Sequence, residues 1–522
     1  MKEIHWPKVD SNHLAVYPKE MVDLEREIFL RGMPEESLME KVGIKISNWM
    51  IGQKDLLING VVVVIGPGNN GGDGAVIARE LFLKGILTKV WVPFPIKKTL
   101  TSKHIDYITF LGIEKLINPP DPTKNDLWID AILGNNQNRS VDDQIVRIFN
   151  KKSNINKGRI ISIDVPTGIC PSTGAPFAKD AIKSNITLSV GLKKIGILQD
   201  VAKPFVGKIH HIDIGLSEEQ LKNFKTRILS VSRKDIKSLN LSLPSKNASK
   251  YMRGKTLIIV GSSRFPGAAM LSIQGALASG VGSVKALLPK EISKSIWQCA
   301  PELVVSGEFD SPNQGNAVIN RTLNELDLEN FDSIMVGPGI GIDSSDWDKS
   351  EEKLKSYRGL LILDADALNR IARSKAQSKF FLERHGKTWI TPHLIEFSRL
   401  FPEFAITNPL ESALSIASQF DIGVLLKGAN SIIADSEKNV WQIYDSSFTS
   451  ARAGLGDLLS GFVAGMSALE ISSGVDLRTE SLSKYALLHS YAGCKCKEGS
   501  NASKIGNKLE KIVKKLKTRQ MS

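Results

Sequence analysis

The chain has 522 residues, of which 42% are hydrophobic and 24% are charged, and its formal net charge is +13. Because a single hydrophobic core rarely grows beyond roughly 250 to 300 residues, this length predicts at least two domains. The composition is typical of a folded globular protein and excludes an intrinsically disordered chain, and the sequence contains no run of about 18 apolar residues that would predict a membrane-spanning helix.

The N-terminal segment MKEIHWPKVD lacks the apolar stretch of a secretory signal. The four cysteines are too few and too scattered to cross-link a protein of this size, which favours a reducing compartment. We therefore expect a cytoplasmic protein. The Cys494-x-Cys496 pair could begin a metal site, but neither a second pair nor a neighbouring His completes a ligand set.

Short apolar runs alternate with longer helical patterns along most of the chain. The runs are VVVVIG, RIISIDV, KTLIIVG, SIMVG, GLLILDA and VLLKG. This alternation predicts an α/β fold of parallel sheets covered by helices on both faces. It lapses into a polar, Ser-rich and basic segment between Lys225 and Arg253, so we place a domain junction near residue 235 and predict domains at 1–230 and 235–522.

A glycine-rich segment follows the first of these runs. Val61–Ile65 is predicted to be a buried strand, Gly66–Gly74 has the sequence GPGNNGGDG, and the helical pattern AVIARELFLKG comes next. The bare N–H groups and the positive end of the helix dipole at such a junction form an anion site, which suits phosphates. The glycines permit close backbone approach and positive φ, and the segment is neither a Walker motif nor a GxGxxG fingerprint.

This segment resembles the signature of the NAD(P)H-hydrate epimerases. Three further stretches resemble motifs of the same family: Ser37-Leu38-Met39-Glu40, Trp128-Ile129-Asp130-Ala131 and Ile163-Asp164-Val165-Pro166-Thr167-Gly168. The last two lie at the carboxyl ends of predicted strands, the edge at which open parallel sheets bind ligands. The resemblance implies a Rossmann-like N-terminal domain that interconverts the R and S forms of hydrated NADH and NADPH.

The resemblance also implies roles for individual residues. Asp164 would be the acid/base residue at the nicotinamide C6 hydroxyl, because inversion requires the carbon–oxygen bond to break and reform and a carboxyl can supply and retrieve the proton. An Asp before Pro-Thr-Gly could instead only cap a turn. A potassium ion would be held by oxygen ligands from Asn70, Asp130 and Thr167. The hydrated substrate would be bound by Asn69, Asn70, Gly71, Gly72, Asp73, Gly134, Arg139 and Asp164.

One predicted substrate-binding loop differs from the family pattern. Family members show a Gly-Thr-Gly-Leu-x-Arg-Pro type of loop after the Asp130 strand, whereas this chain has GNNQNRS at positions 134–140. Only Gly134 and Arg139 are retained, which leaves the contacts with the substrate and the strength of the epimerase activity open.

The second half of the chain has a comparable series of strand ends. Small or polar residues follow five predicted strands, in VGSS (260–263), VGPGIG (336–341), LDADALN (363–369), TPH (391–393) and KGA (427–429). The segment Gly454-Leu455-Gly456-Asp457 then begins the helical run LLSGFVAGMSAL. Its backbone N–H groups would face a transferring phosphoryl group while Asp457 reaches the accepting hydroxyl, without a Walker lysine. Alternatively, Asp457 only caps the helix.

This series resembles the ribokinase-like, carbohydrate-kinase-like NAD(P)H-hydrate dehydratases over nearly all of Lys255–Glu470. The resemblance implies that ADP, with ATP as the alternative donor, phosphorylates the C6 hydroxyl of the S hydrate, and that loss of phosphate regenerates NAD(P)H. Mg²⁺ would bridge the nucleotide phosphates. Asp457 would be the base. The nucleotide would be bound by Lys427, Gly428, Ala429 and Gly456, the hydrate by Gly339, His393 and Asp457, and the phosphoryl group by the N–H groups of Gly454 and Gly456.

Two other interpretations remain open at this point. A ribokinase-like kinase of a vitamin-precursor alcohol shares the Gly-x-Gly-Asp segment, and a non-catalytic nucleotide-binding scaffold would explain the altered loop. His393 could likewise be only a hydrogen-bonded loop residue. Much of the positive charge lies in Lys504–Arg519, where Leu509, Ile512, Val513 and Leu516 recur at helical spacing, so we expect a docked helix with a solvated basic face and neither a nucleic-acid nor a membrane partner. The family resemblance implies a homo-oligomer.

Overall fold

The computed structural model describes residues 4–222, 224, 227–244, 247–404, 407–445 and 452–521. They form two compact units. One is Lys8–Ser230, and the other is Val231–Ser522 together with the segment before Lys8. The second unit holds that segment, since the His5 N–H donates to Glu480 Oε2 at 2.8 Å and Trp441 Nε1 donates to the Trp6 carbonyl at 3.1 Å. The sequence did not predict that the N-terminal segment belongs to the C-terminal unit. Residues 225–226 and 245–246 of the predicted junction lie outside the described residues.

The N-terminal unit alternates strands and helices. Its strands are β1 (Leu14–Val16), β2 (Val61–Ile65), β3 (Thr88–Trp91), β4 (Glu114–Leu116), β5 (Leu127–Ala131), β6 (Ile160–Ile163), β7 (Ile186–Val190), β8 (Lys193–Lys194), β9 (Lys208–Ile212) and β10 (Arg227–Val231). Its helices are α1 (Pro18–Leu30), α2 (Glu35–Ile51), α3 (Lys54–Leu57), α4 (Asn69–Leu83), α5 (Thr99–Phe110), α6 (Asp143–Ile155), α7 (Lys203–Val206) and α8 (Glu218–Leu221).

The main sheet of this unit has the order β4-β3-β2-β5-β6-β7-β9, and every neighbouring pair is parallel, as predicted. All residues of β2, β5 and β6 are buried, and α4 packs against β2, β3 and β5. Continuous burial explains why these strands are apolar except at Asp130 and Ser162. Because β2, β5 and β6 are parallel neighbours, their carboxyl ends bring Gly66, Asp130 and Asp164 to one edge of the sheet.

The C-terminal unit repeats this alternation with a larger sheet. Its strands are β11 (Lys255–Ile259), β12 (Ser283–Pro289), β13 (Val304–Phe309), β14 (Ser333–Val336), β15 (Leu360–Leu363), β16 (Thr388–Ile390), β17 (Gly423–Leu426), β18 (Ile432–Ala434) and β19 (Asn439–Ile443). Its helices are α9 (Pro266–Ala278), α10 (Lys290–Ser293), α11 (Pro312–Gly315), α12 (Asn320–Asn324), α13 (Ser344–Ser356), α14 (Asp366–Arg373), α15 (Lys379–Leu382), α16 (Leu394–Leu400), α17 (Pro409–Phe420), α18 (Leu455–Ser472), α19 (Thr479–Cys494) and α20 (Ala502–Met521).

The strands of this unit follow the order β13-β12-β11-β14-β15-β16-β17-β18-β19. Neighbours from β13 to β17 are parallel, whereas β18 pairs antiparallel with β17 and with β19. The prediction of a parallel sheet is therefore confirmed up to β17, and the sequence analysis missed the two antiparallel strands that follow. Short turns join β17, β18 and β19, and a short turn can connect only antiparallel neighbours, since parallel strands need a long crossover.

Two C-terminal helices complete the core of this unit. Helix α18 packs on α9, β11 and β14. By length and composition it is apolar enough to cross a membrane, but most of it is buried inside this unit, where a core helix is equally apolar. Helix α20 packs on α9 and α19 and buries Leu509, Val513 and Leu516, with Ile512 partly exposed. The predicted docking of this basic helix is therefore confirmed.

Candidate active sites

The glycine-rich segment lies within the first turns of a helix. Helix α4 begins at Asn69, so part of the segment expected to precede the helix belongs to it. No glycine between positions 66 and 74 has a positive φ, and that part of the prediction is wrong. The glycines pack closely against the rest of the chain, because a Cβ on Gly71 would lie 2.1 Å from the Gly66 carbonyl oxygen, and one on Gly72 would lie 2.5 Å from Met39 Sδ.

Replacing Gly71 by alanine should destabilise the N-terminal unit. The new Cβ would collide with backbone, which cannot rotate away as a flexible side chain can, so we expect a loss of about 1–3 kcal/mol in the free energy of unfolding. Denaturant unfolding measures the change. Gly68→Ala is the matched control, because nothing lies within 4 Å of a Cβ at that position. Equal unfolding midpoints for the two variants would contradict the close packing described above.

A cleft with a volume of about 340 Å³ opens at the carboxyl edge of the N-terminal sheet. Five residues predicted to bind the hydrated substrate line it together: Asn69, Asn70, Asp73, Gly134 and Asp164. Gly71 and Gly72 are buried and do not line it, and Arg139 is exposed outside it. The structure thus brings most of the predicted set together but does not bring Arg139 to the cleft.

Asp164 follows β6 and has a φ of 67°, a left-handed backbone conformation that non-glycine residues rarely adopt. Its Oδ1 accepts from the Lys194 Nζ at 2.5 Å and the Val190 N–H at 3.2 Å, and its Oδ2 accepts from the Asn135 N–H at 3.0 Å. These partners are distant in the chain, so the side chain does not cap the turn that follows. Backbone strain of this kind persists where the surroundings fix it and clusters at functional sites.

The sequence analysis missed two charged residues of this cleft. Lys194 is almost fully buried, with a side chain 1% exposed, and it also donates to the Val190 carbonyl at 2.7 Å. Glu25 lines the cleft from α1. Burial raises the pKa of Glu25; the charge of Lys194 lowers this pKa, and the charge of Asp164 raises it further. Burial and the charge of Asp164 raise the pKa of Asp73 well above its usual range. Paired lysines in an otherwise apolar GLKKIG stretch were the available signal for Lys194.

The loop that departs from the family pattern is anchored by its own amide groups. Gln137 is buried, accepts from the Gly168 N–H at 2.7 Å and donates to the Pro166 carbonyl at 3.1 Å. Asn135 Nδ2 donates to the Pro18 carbonyl at 3.0 Å. The altered residues therefore fix the loop against both the Asp164 turn and the start of α1.

The predicted ion ligands lie beside this cleft. Asp130 is fully buried and accepts from Ser162 Oγ at 2.6 Å, the Thr167 N–H at 2.9 Å and Thr167 Oγ1 at 2.8 Å. Within the described ranges, no Lys or Arg pairs with it, and burial raises its pKa. Thr167 Oγ1 also accepts from the Leu133 N–H at 3.1 Å, and Asn70 lines the cleft. A buried carboxylate with neutral donors and nearby oxygen atoms fits a monovalent cation.

In the C-terminal unit the predicted residues lie at neighbouring strand ends. Lys427 follows β17, and its Nζ lies 2.6 Å from Asp364 Oδ1 at the end of β15. The other oxygen of Asp364 is buried and lacks a hydrogen-bond partner among the described residues. Burial disfavours the charge on Lys427, but Asp364 and Glu396 outweigh it and raise the pKa of the ammonium group, which stays positive. Gly428 and Ala429 follow Lys427 in the chain and are exposed to solvent.

Asp457 lies in the first turn of α18, as predicted. Gly454 is the N-cap of this helix and has a φ of 82°, which explains the need for glycine there, and Asp457 is not the cap. Lys427 Nζ lies 3.3 Å from the place a Cβ would take on Gly456. Burial and the charge of Asp364 raise the pKa of Asp457 to about 6, against the opposing effect of Lys427. A carboxylate with such a pKa is suited to accept a proton near neutral pH.

Two histidines also lie near this cluster. His393 is the N-cap of α16, where its Nδ1 accepts from the Ile395 and Glu396 N–H groups at 3.1 and 3.2 Å, so a capping role is present whatever else it does. His489 was not predicted. Burial and the charge of Lys427 lower the pKa of His489 to about 4, and its Nε2 lacks a hydrogen-bond partner within the part of the chain that the structure describes.

The remaining predictions concern glycine and metal ligands. Gly339 follows β14 with a φ of 74°, and a Cβ there would lie 2.8 Å from Phe265 Cβ. Among the described residues, no group of three or more His, Cys, Asp or Glu side chains could hold a metal ion.

Comparison with known proteins places these two clusters in a family. A model described as NAD(P)H-hydrate dehydratase matches residues 256–515, and one described as the YjeF-related protein N-terminus matches residues 35–196. The bifunctional NAD(P)H-hydrate repair enzyme of Synechocystis is 34% identical over 87% of this chain and 86% of its own. The chain belongs to the family of bifunctional NAD(P)H-hydrate repair enzymes. The Gloeobacter violaceus member is 33% identical, over 85% and 87% of the two chains.

Family membership confirms the predicted fold and enzyme class. A solved ADP/ATP-dependent NAD(P)H-hydrate dehydratase from Bacillus subtilis, co-crystallised with ATP and Mg²⁺, is 22% identical over 54% of this chain and 97% of its own, with a TM-score of 0.45. The two family models account for both halves of the chain, an epimerase-type and a dehydratase-type domain. The family models and the relatives described above are not described as vitamin-precursor kinases or non-catalytic scaffolds.

Proposed function

We propose that the N-terminal cleft of this repair enzyme interconverts the R and S forms of hydrated NADH and NADPH, with Asp164 as an acid/base residue at C6. The observation that carries this proposal is the strained Asp164, whose carboxylate is held by Lys194 and two backbone N–H groups in an open cleft. Inversion at C6 requires loss and return of the hydroxyl, and a fixed carboxylate can take up and release the proton involved. The substrate phosphates would lie at the N-terminus of α4.

Asn70, Asp130 and Thr167 would hold a potassium ion in this unit. The fit rests on the buried negative charge of Asp130, whose described partners are all neutral donors. Bound potassium would supply a positive charge that offsets this carboxylate. Asp130 would in turn keep Thr167 and the Leu133–Gly134 turn in place below the substrate.

Exchange of potassium for a bulky organic cation should impair epimerisation and leave dehydration unchanged. Tetramethylammonium is too large for a site built from three oxygen-bearing side chains, so the uncompensated charge of Asp130 would loosen the turns that carry Gly134 and Asp164. Chromatography of the R and S hydrates measures the rate, and thermal unfolding of the same samples shows whether the cation stabilises the N-terminal unit. Equal epimerisation rates and equal melting temperatures in both salts would contradict the proposed potassium site.

The C-terminal site would carry out the nucleotide-dependent dehydration of the S hydrate. Asp457 would accept the C6 hydroxyl proton as the oxygen attacks the terminal phosphoryl group of ADP, and AMP would leave. Loss of phosphate from C6 together with a proton from C5 would then restore the C5=C6 double bond of the dihydronicotinamide. The N–H groups of Gly454 and Gly456 at the start of α18 would bind the phosphoryl oxygens, while Gly339 and His393 would border the hydrate.

Lys427 would bind the nucleotide phosphates together with the backbone of Gly428 and Ala429. Its charge is maintained by Asp364, and it lies beside Gly456 at the helix N-terminus. Mg²⁺ in such sites is commonly held by one or two carboxylates, waters and the phosphates themselves. The partnerless oxygen of Asp364 fits a contact with such an ion or its water, and the ion would neutralise phosphate charge.

The products distinguish this reaction from simple kinase activity. Incubation of the chain with S hydrate and ADP should yield NADH, AMP and inorganic phosphate in equal amounts, and ATP in place of ADP should yield ADP as the coproduct. Nucleotide consumption without recovery of NADH would favour the vitamin-precursor kinase. A homo-oligomer, a cytoplasmic location and the absence of nucleic-acid and membrane partners stay predictions from the sequence.

A further inference from the structure

Helix α1 forms one wall of the epimerase cleft. Met21, Glu25 and Phe29 share one face of the helix at i, i+4 spacing, with Met21 buried and the other two lining the cleft. Asn135 ties the start of this helix to the sheet edge, since its Nδ2 donates to the Pro18 carbonyl while its N–H donates to Asp164 Oδ2. One residue therefore fixes both the α1 wall and the carboxylate of Asp164.

Resting on the proposed epimerase function, we propose that Glu25 is a second catalytic acid/base residue, which works with Asp164 at the C6 hydroxyl. Glu25 is partly exposed and, among the described residues, its carboxyl accepts or donates no hydrogen bond and forms no ion pair. The carboxylate of Asp164 has three donors, including the ammonium group of Lys194. The two carboxyls thus differ in partners within one cleft, as acid and base require.

The charges around Glu25 support this division of roles. Lys194 and Asp164 face it from the sheet edge and Glu35 from α2, while Asp73 on α4 and Lys98 before α5 line the same cleft. Burial raises the pKa of Glu25, Asp164 and Glu35 raise it further, and Lys194 lowers it. The net direction keeps Glu25 protonated to a higher pH than an exposed glutamate, while Lys194 is engaged with Asp164.

The chemistry balances without an added oxidant or reductant. Protonated Glu25 gives its proton to the C6 hydroxyl, the carbon–oxygen bond breaks, water leaves, and the N1 lone pair forms the N1=C6 iminium bond. A second water adds to the other face of C6 while Asp164 takes its proton, and the electron pair returns to N1. A proton then passes from Asp164 back to Glu25. Two carboxyls on a cleft that admits water serve inverting glycosidases in the same way.

The test compares Glu25→Gln with Glu27→Gln, a change on the same helix at an exposed residue paired with Arg31. General acid/base catalysis contributes roughly 10²–10⁴-fold, so Glu25→Gln should lower kcat for R-to-S conversion by about 10²-fold or more with little change in KM, and it should remove the alkaline limb of the pH profile. Glu27→Gln should match the parent chain. In H₂¹⁸O each inversion should place one labelled oxygen at C6.

Several results would overturn the role of Glu25. These are an unchanged kcat in Glu25→Gln, a lowered kcat with both pH limbs retained, loss of the alkaline limb in Asp73→Asn instead, or inversion without label. If Glu25→Gln does not fold, Glu25→Ala with and without added formate replaces it, and rescue by formate is the expected result. A parent chain that does not epimerise at all refutes the proposed function itself, a different outcome from an active parent with an indifferent Glu25→Gln variant.

Discussion

Asp457→Asn should abolish nucleotide-dependent recovery of NADH from the S hydrate. Asp457 lies in the first turn of α18 near Lys427, and its carboxylate would be the group that accepts the C6 hydroxyl proton. Loss of a general base costs roughly 10²–10⁴-fold in kcat. Steady-state kinetics with pure S hydrate and ADP measure the effect. Because the base must be ionised, activity of the parent chain should also fall as the pH drops below about 6, the raised pKa of Asp457.

The fold should survive this substitution. Burial and Asp364 raise the pKa of Asp457 to about 6, so its ionised form costs stability at neutral pH, and that cost shrinks as the pH falls below the folded pKa and is gone below the unfolded pKa. Neutral asparagine should therefore leave the melting temperature of the C-terminal unit unchanged or raise it. Retention of the parent kcat in a folded Asp457→Asn chain would refute Asp457 as the base.

Asp164→Asn should stop R-to-S interconversion while the S hydrate is still repaired at the parent rate. The same range of roughly 10²–10⁴-fold applies to the loss of kcat. Chromatographic separation of the two hydrates follows the first reaction, and NADH recovery from pure S hydrate follows the second. The difference between them tests whether each unit has its own site.

This variant needs a stability control, because it leaves the buried Lys194 without its partner. Breaking a buried ion pair by removing one member typically costs about 3–5 kcal/mol, so thermal unfolding must accompany the kinetics. Asp164→Asn combined with Lys194→Met removes both charges and should recover stability without recovering epimerisation. If the double variant epimerises, or if Asp164→Asn also slows dehydration of the S hydrate, the two-site account is wrong.

The sequence predicted the positions of residues that follow buried strands. Asp130, Asp164 and Lys427 each follow an apolar run, and the parallel order of the strands brings such ends to one edge. Asp457 could be placed because a glycine pair precedes a long apolar helix. In each case a short-range pattern fixed the location, and the topology of a parallel α/β fold supplied the rest.

Residues whose roles depend on long-range contacts were not predictable. Glu25 is one of several acidic residues on a surface helix, and the tertiary structure, which links Asn135 to Pro18, is needed to show that this helix borders the cleft. Lys194 pairs with a residue 30 positions away. The contact of His5 with Glu480 spans nearly the whole chain. Local patterns contain no information about such pairs.

Glycine chemistry was predicted only in part. The density of glycine in Gly66–Gly74 suggested close backbone approach to a ligand and positive φ, whereas the structure shows glycines that pack closely within the chain without positive φ. The reverse occurs at Asp164, where a non-glycine residue adopts the left-handed conformation. Residue type determines which backbone conformations have a low free energy, but tertiary contacts decide which conformation is adopted.

The central claim is that one chain repairs both hydrates, and a single progress curve tests it most directly. The purified full chain is given a mixture of R and S hydrates of NADH with ADP and magnesium, and the dihydronicotinamide absorbance is followed to completion. We predict recovery of the entire mixture, with one AMP formed for each NADH. A curve that stops at the S fraction, or ADP consumption without any recovery, would contradict the account.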